Sequence, residues 1–94
     1  MSAKAWLLKI AAEVEADPSR WTQGAFARSG KQISEPTSLS ATCWCALGFA
    51  QRDGVRPPVE LAVAINGKPS IYNDSLANAA EFVSWFRGAA ELCK

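Results

Sequence analysis

Cys43, Cys45 and Cys93 are the residues best suited to chemistry in this chain. The first two stand inside Thr42-Cys43-Trp44-Cys45-Ala46-Leu47-Gly48-Phe49-Ala50, the densest apolar run of the sequence. A thiol near a helix N-terminus can act as a nucleophile, because the helix field stabilises its thiolate. It still needs a base to take its proton. No histidine occurs anywhere, which removes the usual Cys–His pair and most proton shuttling near neutral pH. The simpler reading makes Cys45 a small buried hydrophobe beside Gly48, one helical turn on. No residue is therefore assigned a catalytic role. A metal site fares no better. On a helix, Cys43 and Cys45 would point to nearly opposite sides, and structural zinc wants four converging ligands. Neither a metal nor a cofactor is expected.

The polar candidates lie elsewhere. Asn73-Asp74 would present a carboxylate near the start of the last helix, where it could contact a ligand or partner. The competing reading is an Asx-type turn, with both side chains bonded to nearby backbone. Trp21, Gln23 and Arg28 flank a proposed hairpin, and an exposed Trp and Arg suit a protein interface. Alternatively, Trp21 packs on the core and Gln23 bonds a backbone group. Tyr72 joins Asn73 and Asp74 in the same turn. The order Gln23, Cys43-Trp44, Asn73 echoes papain-like enzymes, but without an imidazole that mechanism lacks its general base. No two carboxylates form an evident acid–base team.

These residues must be positioned by one domain spanning 1–94, near the lower comfortable length for a single core. An apolar fraction of 49%, with four Trp and four Phe, predicts a core built on large rings with alanines between them. The net charge is +1, and the basic residues are scattered, which argues against a nucleic-acid partner. The odd cysteine count, with two too close for an ordinary disulfide, suits free thiols in a reducing cytoplasm. Lys4 and Lys9 interrupt the first apolar stretch, so neither a signal peptide nor a membrane span is read.

Residues 2–16 carry Trp6, Leu7, Ile10, Ala11 and Val14 at helical spacing, and Asp17-Pro18 ends that helix. Ser29-Gly30 reads as the two-residue loop of a hairpin within residues 24–34, with Arg28 facing Lys31 and Phe26 facing Ile33. A loop or extended arm is the alternative there. The apolar run predicts a buried central helix over 41–51, capped by Ser40 and stopped at Asp53-Gly54. Pro57-Pro58 opens a short helix that ends at Asn66-Gly67. Residues 70–77 read as a connection. Asn78 and Glu81 form a capping box for the last helix, whose stripe is Phe82, Val83, Phe86, Ala89, Ala90 and Cys93. Trp6 and Trp44 belong to the core, Trp85 is expected to be partly exposed, and Gly88 to permit close helix approach. The fold class is mainly α, about four helices with a small β-hairpin, with α+β as the alternative.

Several fragments occur in a telling order: Trp21-Thr22-Gln23-Gly24-Ala25, Ala27-Arg28, Cys45-Ala46-Leu47-Gly48, Asn73-Asp74 and Glu81-Phe82-Val83. In this the chain resembles a family of small bacterial and phage proteins known only as a domain of unknown function. The resemblance covers residues 21–92. Tyr72 and Phe49 depart from the family pattern, which has tryptophan and a small residue there, and Cys43 is extra. The resemblance implies a fold and carries over no catalytic residues. The function expected is a non-catalytic protein-binding module acting through the hairpin and residues 72–74. By analogy, it could be a phage-type modulator of a host system. The competing expectation is a small enzyme or ligand binder with a pocket around Cys45, Gln23 and Asp74. Homodimerisation through an exposed helix face is a third.

Overall fold

The computed structural model describes residues 1–94 as a mainly α protein carrying a small three-stranded sheet. Helix α1 is Ala3–Ala16; Ser2 accepts the Ala5 N–H at its start and Asp17 caps its end. Its buried residues are the five expected from the spacing: Trp6, Leu7, Ile10, Ala11 and Val14. A 3-10 turn, Pro18–Arg20, follows. Strands β1 (Ala27–Ser29) and β2 (Gln32–Ile33) form an antiparallel hairpin. Strand β3 (Cys43–Trp44) pairs antiparallel with the other edge of β1. Then come helices α2 (Ala46–Asp53), α3 (Glu60–Val63), α4 (Pro69–Ser75) and α5 (Ala79–Leu92). Helix α1 lies along α5, and Trp6 meets Phe86 at 5.9 Å between ring centres. Phe82 stacks on Phe86 at 4.3 Å and touches Phe49, Trp21 and Trp85. No helix is long and apolar enough to cross a membrane.

The central run is buried but is not one helix. Cys43-Trp44 is extended, and the helix begins only at Ala46. The expected cap, Ser40, lies outside; the N-cap is Cys45, whose Sγ accepts the Gly48 N–H at 3.3 Å. The reason is the hairpin. The Arg28 carbonyl accepts the Thr42 N–H at 2.8 Å, and the Phe26 carbonyl accepts the Cys45 N–H at 3.1 Å. Pairing with β1 thus takes the Cys45 N–H, which a helix over 41–51 would have given to Ala41, and holds Cys43-Trp44 extended. The hairpin register also differs. Ser29 pairs with Gln32 and Arg28 with Ile33, so the loop is Gly30-Lys31 and Phe26 lies before the strand.

Three further expectations are corrected. Residues 70–77 are not a plain connection, since α4 occupies most of them. Trp85 is buried, its indole N–H donating to the Leu61 carbonyl at 3.0 Å. Gly88 does not serve a close approach: a methyl group there would meet open space. That role belongs to Gly48, where an added Cβ would lie 1.7 Å from the Phe26 carbonyl oxygen. The Asn78–Glu81 capping box forms, with Glu81 N–H donating to Asn78 Oδ1 at 3.0 Å. The Glu81 carboxylate reaches one residue further back than expected, to the Ala77 N–H at 2.7 Å. Helix α2 ends at Gly54, as read from Asp53-Gly54.

A polar staple fixes the far end of α2. Arg52 forks onto Glu13 at 2.6 and 3.0 Å and also bonds Asp53. Its guanidinium lies 4.7 Å from the Trp44 ring centre, a cation–π position. Trp6 donates its indole N–H to Asp53 Oδ2 at 2.9 Å. Arg20 Nε lies 3.0 Å from Glu13 Oε2, but off the hydrogen-bond direction, so that contact is one of charge alone. Burial raises the Asp53 pKa; hydrogen bonds from Arg52 and Trp6, with the Arg52 and Lys9 charges, outweigh it and hold the carboxyl at about 2.

Two tests follow from this packing. Gly48→Ala should cost about 3 kcal/mol or more, because backbone cannot yield to the new methyl, whereas Gly88→Ala should gain up to about 1 kcal/mol. Urea unfolding of both variants decides it; equal effects would contradict the packing. The second test is acid. The Asp53 pKa is lower in the folded chain than its ordinary 3.8, so its contribution is complete above that value. It is lost as pH falls toward 2, by about 2 kcal/mol. The stability advantage of the wild type over Asp53→Asn should shrink across that window, and a constant advantage would refute the staple.

Candidate functional site

The segment before β1 and the end of α4 meet at the start of α2, and Asn73 sits between them. It is 0% exposed. Its Oδ1 accepts from the Trp21 indole N–H at 2.9 Å and the Ala46 N–H at 3.1 Å. Its Nδ2 donates to the Thr22 carbonyl at 3.1 Å and Asp74 Oδ1 at 3.2 Å. The amide therefore uses both lone pairs and both hydrogens, the full capacity of the group. Two donors on one side and two acceptors on the other also fix which way it faces. Ala46 is the first residue of α2, so Asn73 satisfies one of the helix's free N–H groups from across the chain.

Around Asn73 the other polar candidates also bond within the chain. Gln23 donates from Nε2 to the Asn73 and Leu76 carbonyls at 2.9 and 2.8 Å. Asp74 Oδ1 also accepts the Gly24 N–H at 2.9 Å. Gly24 has φ +78°, a left-handed conformation that suits glycine. Arg28 donates to the carbonyls of Lys31 and Gln23 at 3.2 and 3.3 Å. Trp21, Gln23, Arg28, Asn73 and Asp74 thus form one connected set. Tyr72 does not join it. Its ring packs edge-on against Trp85 at 4.9 Å, beside a separate cavity of about 620 Å³ between α3, α4 and α5. The Asx-turn expectation is replaced as well, because the bonds of Asn73 and Asp74 reach mostly 27 to 52 residues along the chain.

Between the hairpin and α4 lies a cleft of about 370 Å³, lined by Gly24, Phe26, Ile33, Cys45, Ser70 and Asp74 among others. Cys45 and Asp74 therefore share a pocket, while Gln23 stands behind its wall. Cys45 is buried, at 6% exposed. Burial pushes its pKa above the ordinary thiol value; the Gly48 and Leu47 N–H groups oppose this without overcoming it, and the Asp74 charge adds a smaller upward push. A thiol held protonated is a poor nucleophile near neutral pH. Cys43 is not on a helix with Cys45; its thiol donates weakly to the Arg28 carbonyl at 3.8 Å. Phe26 and Ile33, at 48% and 73% exposed, were not singled out as binding residues. Their signal was available: apolar side chains on a hairpin too small to bury both faces.

No family model, no curated protein and no solved structure matches the chain.

Replacing Asn73 tests the site's architecture. Asn73→Ala strands the Trp21 indole N–H, the Ala46 N–H and the Thr22 carbonyl, each worth about 1–3 kcal/mol when buried and unpaired. The expected loss is about 3 kcal/mol or more, read from urea unfolding. A loss within about 0.5 kcal/mol, typical of a surface position, would show that the amide carries no structural weight.

Proposed function

We propose that the protein is a non-catalytic protein-binding module whose contact face is the rim of the hairpin–α4 cleft. One observation carries this reading: the Asn73 amide, the Gln23 Nε2 hydrogens and one Asp74 oxygen are spent on internal bonds, while Phe26 and Ile33 project outward from the frame those bonds hold. Rigid apolar side chains on a pre-ordered surface lose little entropy on binding and suit a protein interface. The competing reading, an enzyme or ligand binder using Cys45, Gln23 and Asp74, is favoured only by Cys45 and Asp74 sharing a cleft. Against it stand the protonated thiol, the occupied Gln23 amide and a sequence without histidine. Three free thiols are in keeping with a reducing cytoplasm. The narrower role of a phage-type modulator of a host system rests on family resemblance alone.

Two measurements test the proposal. Cys45 should react with iodoacetamide much more slowly than Cys93 at pH 7.5, by mass-spectrometric peptide mapping; rapid alkylation of Cys45 would revive the enzyme. In parallel, immobilised wild type should retain a protein from the source lysate that Phe26→Ser and Ile33→Ser release. A partner held equally by all three would move the contact face elsewhere.

A further inference from the structure

The lining of the hairpin–α4 cleft contains one acidic side chain, Asp74. No lysine or arginine forms an ion pair with it. Arg28, on the hairpin, gives its guanidinium hydrogens to backbone carbonyls instead. Asp74 Oδ1 already receives the Gly24 and Asn73 N–H groups, whereas Oδ2 has no partner within the chain. The rest of the lining is apolar or weakly polar: Phe26 and Ile33 at the rim, the Cys45 thiol and the Ser70 hydroxyl.

We infer that this cleft receives a lysine side chain from a protein partner, its methylene stem against Phe26 and Ile33 and its ammonium on Asp74 Oδ2. The inference rests on the interaction-module reading and names the chemistry of the partner. Charge complementarity selects a cation, since the one acidic group lining the cleft is negative and has no ion-pair partner in the chain. The choice between the basic residues follows from the carboxylate. A guanidinium fork seeks both oxygens, and one of these is already saturated by two donors. An ammonium is a compact point charge that needs only Oδ2, and the same lining holds one further hydroxyl acceptor, that of Ser70. The apolar rim matches the lysine stem, which buries its methylenes while the head stays polar.

The test titrates n-butylammonium into the 15N-labelled full chain and follows amide shifts by NMR. n-Butylguanidinium and 1-butanol serve as comparisons. The amine should give saturable shifts at Gly24, Phe26, Ile33, Cys45 and Asp74, with a dissociation constant on the order of millimolar for so small a probe. Affinity should fall at least fivefold in Asp74→Asn and in 0.5 M salt, and Ile33→Ser should weaken it while leaving the charge in place. If Asp74→Asn is unfolded by circular dichroism, the salt series and Ile33→Ser decide alone. Equal shifts from 1-butanol, tighter binding of the guanidinium, shifts confined to the α3–α4–α5 cavity, or affinity indifferent to both salt and Asp74 would each overturn the inference. The two readings fail separately. A lysate partner lost with Phe26→Ser but no amine binding leaves the module without its lysine. Amine binding with no Phe26-dependent partner removes the module reading and leaves a cation site.

Discussion

The structure depends on one buried amide. Asn73 lies where three chain segments converge, and three of its four hydrogen bonds reach 27 to 52 residues along the chain, the fourth going to the neighbouring Asp74. Burying a primary amide without partners costs several kcal/mol. With all partners present the cost is met, and the geometry becomes specific, because no other placement of Trp21, Thr22 and Ala46 satisfies the same atoms. The amide ties α4 to the start of α2 and to the segment that leads into the hairpin. Gln23 and Asp74 repeat the same tie a few ångströms away, through the Asn73 and Leu76 carbonyls and the Gly24 N–H.

This junction explains how such short elements persist. The strands are two or three residues long, and α4 has seven. None would hold its form alone. They are held because α1 and α5 supply an aromatic core and because α2 is pinned at both ends. Its start is fixed by Asn73, the Cys45 cap and the close approach of Phe26 to Gly48. Its end is fixed by Arg52 between Glu13 and Asp53, with the guanidinium lying over Trp44. The same arrangement limits chemistry. A cysteine that caps a helix from a dry position is held neutral, and an amide that braces two carbonyls cannot also bind an oxyanion.

What could be read from the sequence follows from where the ordering forces lie. Helices α1 and α5 are ordered by their own apolar stripes, so periodicity found all the buried positions of α1 and most of those of α5. Trp85 escaped because its burial depends on α3 and Tyr72 closing over it. The apolar run at 42–50 was rightly placed in the interior. Its extended first part was misread, since a short continuous apolar stretch looks the same as strand or helix. Helix α4 was missed because Pro69-Ser70-Ile71-Tyr72-Asn73-Asp74-Ser75 has weak helical preference and strong turn character. Bonds from distant residues override that preference. Five of the six candidate residues share one hydrogen-bonded set and Tyr72 lies outside it; the turn reading put the partners of Asn73 and Asp74 next door in sequence, whereas most lie across the fold. Spacing along a chain does not encode a contact between residues 21, 46 and 73.

Native-state hydrogen exchange at the Trp21 indole and the Ala46 amide probes this junction most directly. Both hydrogens point at Asn73 Oδ1. If the amide is the brace described above, both exchange only on global unfolding, as slowly as the core amides of α1 and α5. Exchange as fast as in the frayed termini would contradict it. The polar residues around Asn73 would then be free to serve some purpose other than holding the frame.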